Sequence, residues 1–206
     1  MRFRATCLAS LFAVTLSATT ATAQTAPAAA PTPAAAPSAP VRKGFFIGGG
    51  FGYGSAGIDC PGCQTDRESG PVAYIHLGGT INPHLRIGVE SNGWAKTEFG
   101  VDEQVGFLTA DLYVYPSLSN NFWIKGGLGL ASGEESNDVD ELKSTGVGIA
   151  AGIGYDWNVG GGNFVFVPFA TYVRQLSGKI KFDGEDTDVS SNASVLEIGL
   201  GLGYRH

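Results

Sequence analysis

Six charged side chains interrupt otherwise apolar or glycine-rich segments of this 206-residue chain: Arg86, Glu90, Asp111, Lys125, Arg174 and Glu197. Charges confined away from water are costly unless opposite signs meet, so their spacing points to ion pairs in a shared interior. A turn centred near Leu118 sets Asp111 directly opposite Lys125 on adjacent strands. A connection centred near residues 99–100 sets Arg86 one diagonal step from Asp111, with Glu90 further along the same strand. Glu197 and Arg174 fall close to opposite one another in the last hairpin. The chemistry expected of such a set is a structural plug.

Three other groups could react or ligate. Cys60-Pro-Gly-Cys63 has a turn-forming centre that brings two thiols together. A disulfide staple is the first reading; a redox pair or half a zinc site are the alternatives, although redox pairs usually open a helix and no second cysteine pair follows. Clustered carboxylates (Glu134, Glu135, Asp138, Asp140 and Glu141, then Asp183, Glu185, Asp186 and Asp188) suit either solvated loops or weak binding of a hard cation. Neither stretch has EF-hand spacing, so no metal site is assigned. His76, His84 and His206 are the only histidines, and none lies in a recognisable motif with a nucleophile. No catalytic residue and no cofactor are expected.

The elements that position these groups alternate with period two, the signature of strands. Eight segments stand out, near 44–53, 71–80, 85–95, 104–115, 122–131, 145–157, 164–176 and 194–204. Each has about ten residues or more, the length of a tilted strand crossing a bilayer core. Connections alternate strictly, long and polar at the first, third, fifth and seventh, tight at 81–84, 116–121 and 158–163. An up-and-down barrel with one rim on each side of a membrane shows this alternation. One register is apolar: Ile47, Phe51, Ile75, Leu77, Ile87, Val89, Leu108, Leu112, Ile124, Leu128, Val147, Ile153, Val165, Val167, Phe169, Val173, Ile198, Leu200 and Leu202. The other carries glycine with Tyr74, His76, Thr109, Tyr172 and the six charges. A greasy exterior would aggregate in water; in a membrane it faces lipid, and the narrow lumen takes the glycines and charges.

Residues 1–23 read as a secretory signal, with Arg2 and Arg4 before a short apolar run and Ala21-Thr22-Ala23 before the cleavage point. Residues 24–42 form an Ala/Pro-rich disordered tether, and 43–206 the barrel. Loss of Arg2 and Arg4 moves the formal charge from −6 to −8, which excludes a nucleic-acid partner that needs a basic face.

The ending Gly-Leu-Gly-Tyr-Arg-His resembles the last strand of small Gram-negative outer-membrane barrels of the OmpA/OmpX-like family. Ile198, Leu200, Leu202 and Tyr204 match that pattern, and His206 stands where the family has Phe. The resemblance implies an all-β, eight-stranded antiparallel transmembrane barrel in the outer membrane, exported through the periplasm, monomeric, with both termini periplasmic. It implies contact with lipid and lipopolysaccharide, recognition of the final strand by the barrel assembly machinery, and extracellular loops open to a ligand. It also keeps alternatives alive: a switchable ion gate or small pore in the lumen charges, an adhesin in the loops, and a lipid A-modifying enzyme of the His/Ser/acid kind.

Overall fold

Alternation persists well beyond the ten residues that a bilayer requires. In the computed structural model, which describes residues 42–60, 63–64, 66–136, 141–182 and 185–206, eight long strands run 14 to 21 residues. They are β1 Phe45–Cys60, β2 Glu68–Asn82, β3 Leu85–Glu98, β4 Val101–Val114, β5 Phe122–Ser136, β6 Glu141–Tyr155, β7 Phe164–Phe182 and β8 Glu185–Arg205. Two-residue pieces, Cys63–Gln64 and Trp157–Asn158, pair with β1 and β7. Each long strand pairs antiparallel with its chain neighbours, and β8 returns to β1 from Phe46↔Arg205 to Asp59↔Asn192. The barrel is therefore closed, and along that stretch neither the first nor the last strand presents a free edge. The signal and tether expectations for residues 1–41 lie outside the described residues.

The expected long connections are largely strand. β3 and β4 meet in a two-residue turn, Phe99-Gly100, both with positive φ (52° and 80°). The polar residues there continue the backbone ladder, which satisfies their N–H and C=O groups without a loop.

Burial is inverted relative to a soluble barrel. Phe51, Ile75, Leu108, Leu130, Ile198, Leu200 and Leu202 are exposed on the outside, whereas Arg86, Glu90, Asp111, Lys125 and Glu197 are buried inside. Two apolar clusters also fill the interior. One, at the loop end, centres on Val72, Trp94, Phe107, Val173 and Val195; the other, at the terminal end, on Phe46, Tyr113, Tyr115, Trp123 and Phe169. The charged layer lies between them.

One strand faces the other way from expectation. In β7, Val165, Val167, Phe169 and Val173 are buried in the lumen, while Tyr172 is exposed and Arg174 lies in the outward register. Arg174 is opposite Ser194, and Glu197 is opposite Thr171 instead. Both registers of Phe-Val-Phe-Val-Pro-Phe-Ala-Thr-Tyr-Val are apolar, so alternation alone does not choose the face.

Where β1 meets β8, glycines oppose glycines on the lumen side: Gly48↔Gly203, Gly50↔Gly201 and Gly52↔Gly199. The bare backbone makes room for aromatic rings from flanking strands. A Cβ at Gly50 would come within 2.7 Å of the Tyr74 ring, and one at Gly199 within 2.8 Å of the Phe169 ring. Those two rings meet edge to face at 4.7 Å.

Candidate functional site

The central layer is organised by Glu90 on β3. Its Oε1 pairs with Lys125 Nζ from β5 and accepts from Asn92 Nδ2 at 2.9 Å. Its Oε2 accepts from Tyr113 Oη at 2.8 Å, and His76 Nδ1 stands 3.0 Å from that hydroxyl. The sequence pointed to Asp111 as the partner of Lys125. The hairpin instead turns about Ser119, so Tyr113 is opposite Lys125 and Asp111 is opposite Gly127. Asp111 Oδ2 accepts from Thr109 at 3.1 Å, and Oδ1 is buried without a hydrogen bond. Gly127 leaves room for the Asp111 carboxylate, which a Cβ there would displace.

Arg86 leaves this layer and joins a second network at the terminal end, so the expected single cluster is two. The β3–β4 register is as expected, with Arg86 opposite Tyr113 and one step from Asp111. Its guanidinium nevertheless points to Asp156, at 3.2 Å. Asp156 also accepts from Tyr115 Oη and Trp123 Nε1, both at 2.9 Å, and Arg205 lies 3.8 Å away. Sequence reasoning missed Asp156 because it falls at the end of a segment, beside a turn. The available signal was Asp156 itself, an acid at the end of the sixth segment, on the same rim as Arg86.

Arg42 was assigned to the disordered tether, but it is buried. It donates to Pro83 O at 3.2 Å, to Asn121 Oδ1 at 3.0 Å and to the Asn120 carbonyl, and covers the Tyr115 ring at 4.0 Å. The start of the barrel is thereby fixed to two of the tight turns. Around the second network the lumen is tightly filled: the space among Phe46, Arg86, Tyr115 and Asp156 is about 20 Å³, room for a water or so.

In the final strand, Ile198, Leu200 and Leu202 face outward. Tyr204 packs against Phe45 and Phe164, and His206 stacks on Phe45 at 5.6 Å while its N–H donates to the Phe45 carbonyl at 3.0 Å. A histidine thus takes the place of the expected Phe in the rim of aromatic rings. Cys60 and Cys63 are backbone partners across a hairpin; their side chains, like those of Asp138, Asp140, Glu141, Asp183, Glu185, Asp186 and Asp188, lie outside the described residues.

Neither a protein-family model nor a curated protein sequence matches the chain. Solved structures do. The attachment invasion locus protein Ail of Yersinia pestis is 15% identical, with a TM-score of 0.55 over 79% of this chain and 99% of that one. Neisserial surface protein A is 17% identical, with a TM-score of 0.56 over 79% and 97%. Ail has also been solved in complex with the heparin analogue sucrose octasulfate. The chain has the fold of these small eight-stranded outer-membrane β-barrels.

Proposed function

We propose that this protein is a non-catalytic barrel of the outer membrane, plugged through its middle, with a structural or surface-interaction role. The observation that carries the reading is the inverted burial, lipid-type side chains outside and hydrogen-bonded charges inside. Such a distribution is stable only where the surroundings are hydrocarbon. The terminal end then lies in the periplasm and the loop end outside, lipid and lipopolysaccharide cover the belt, and the final strand serves the assembly machinery. Among the described residues the Glu90–Lys125 and Arg86–Asp156 pairs lie buried in the lumen, which favours a plug over a pore. A staple between Cys60 and Cys63 belongs to the same reading, since export brings them into an oxidising compartment.

Protease added to intact cells tests the orientation. Cleavage is expected near residues 54–70 and 132–144; cuts confined to the tight turns would reverse it. In planar bilayers the protein is expected to give no steady conductance, and a steady current would remove the plug. The surface-interaction alternative is favoured by Phe99, which is 98% exposed at a loop-end turn.

A further inference from the structure

At the loop end the lumen opens into a cavity of about 400 Å³ that no role described so far uses. That size falls within the range of small-ligand pockets, about 300–1,000 Å³. Its wall is acidic: Glu68, Glu103 and Glu135 line it from β2, β4 and β5. Glu103 and Glu135 are direct partners on adjacent strands, an arrangement of like charges that is unfavourable without a cation between them. Lys96 is opposite Glu103, but its ammonium is taken by Glu68 and Glu98. Among the described residues neither Glu103 nor Glu135 forms an ion pair.

The floor is apolar and aromatic, with Val105 and Trp94 both buried. Trp94 supplies a second, independent sign of a missing partner. It is only 2% exposed, yet its indole N–H has no hydrogen-bond acceptor. Buried donors are nearly always satisfied. Gly70 accommodates the ring edge, since a Cβ there would stand 3.0 Å from Nε1.

We infer that this cup binds a short basic peptide segment, seating a lysine or arginine side chain between Glu103 and Glu135 with its stem on Trp94 and Val105. The apolar stem of such a side chain suits the floor, its charged head suits the wall, and a peptide carbonyl offers the indole N–H its acceptor. A bare metal ion fits less well, because among the described residues no three ligating side chains converge on one point. The cup is blind, closed below by the Phe107 and Val173 layer, so the peptide is held and not passed through. Burial and the facing carboxylates of Glu68 and Glu135 raise the Glu103 carboxyl above its ordinary range, consistent with a wall short of positive charge.

This deepens the surface-interaction reading and rests on it only for the side of the membrane that the cup faces. The test uses the mature full chain in lipid nanodiscs and the tripeptide acetyl-Lys-Leu-Lys-amide as probe. Only Trp94, Trp123 and Trp157 carry indoles, so the Trp94 indole N–H resonance can be assigned by a Trp94→Phe variant. Saturable movement of that resonance is expected, absent with the lysine-acetylated tripeptide and weakened at raised ionic strength. Glu103→Gln/Glu135→Gln, verified as folded by its amide spectrum, is expected to weaken binding by about tenfold or more. Should that variant misfold, Glu103→Gln alone is read in its place, with a loss of several-fold. No saturable shift, equal binding of the acetylated peptide, or unchanged affinity in the folded variant would each overturn the inference. Binding in nanodiscs is indifferent to orientation and conductance, so failure here is separable from failure of the protease or bilayer tests.

Discussion

At the scale of single residues, the lumen shows why a buried charge is tied to one partner geometry. Glu90 receives Lys125, Tyr113 and Asn92, and removing Lys125 leaves a buried carboxylate with two neutral donors and with His76 at 3.7 Å. Lys125→Met is expected to cost about 3–5 kcal/mol of unfolding free energy, and Lys125→Met/Glu90→Gln to recover part of it. Urea unfolding in detergent micelles would give the coupling; a larger coupling of Lys125 to Asp111 than to Glu90 would contradict the observed register. The outer wall titrates in the opposite sense from a paired acid. Glu103 has its carboxyl raised by burial and by Glu68 and Glu135, against the opposing pull of Lys96. A raised carboxyl binds its proton more tightly in the folded chain, so this group lowers stability as pH rises through and above the ordinary carboxylate range. Glu103→Gln should therefore raise the unfolding temperature at neutral pH, and the gain should vanish once the pH falls below that range. A gain that persists in acid would mean that packing, not charge, is responsible.

At the scale of elements, the legible features were those with one physical solution. Seven strands had a single apolar register, so their faces followed from composition; in β7 both registers are apolar, and Val165, Val167, Phe169 and Val173 were drawn inward by the neighbouring strands. Hairpin register was legible for β3–β4 and missed by three residues for β7–β8, where Arg174 is opposite Ser194 and not Glu197. The β4–β5 turn was placed one residue early, enough to exchange Tyr113 for Asp111 as the residue facing Lys125. Asp156, Arg205 and Arg42 were not legible, because they meet only when the closed barrel brings distant chain ends together. The β3–β4 turn carries a cost of its own. Phe99 has a φ of 52° where Asn or Gly is ordinarily found, and its ring buries nothing. Phe99→Asn is expected to stabilise the barrel by about 1 kcal/mol, measured by the same urea transition. A loss of stability would show that the ring packs on something in the membrane-bound protein.

For the whole molecule, the critical event is closure, because every lipid-facing backbone group must find a partner. The β1–β8 seam brings the first and last strands together, and it is lined on the lumen side by three glycine pairs over which Tyr74, Phe169, His76 and Val165 lie. Glycine interrupts strand propensity, yet here a side chain would stand where the partner backbone already is. A Cβ at Gly52 would strike the Ile198 carbonyl and lie 2.8 Å from the Gly199 Cα. The same addition at Gly93, on the outside of β3, meets nothing within 4 Å. Gly52→Val should therefore cost about 1–3 kcal/mol through forced separation of the seam, while Gly93→Val should be nearly neutral in stability. The seam variant should also close slowly, because its obstacle lies between the two strands that meet last. Gel migration without heating separates closed from open barrels, so during refolding into detergent Gly52→Val should retain the open band long after Gly93→Val and wild type have closed. Equal closure of all three would mean that the seam tolerates a side chain, and that its glycines serve something other than the approach of the two strands.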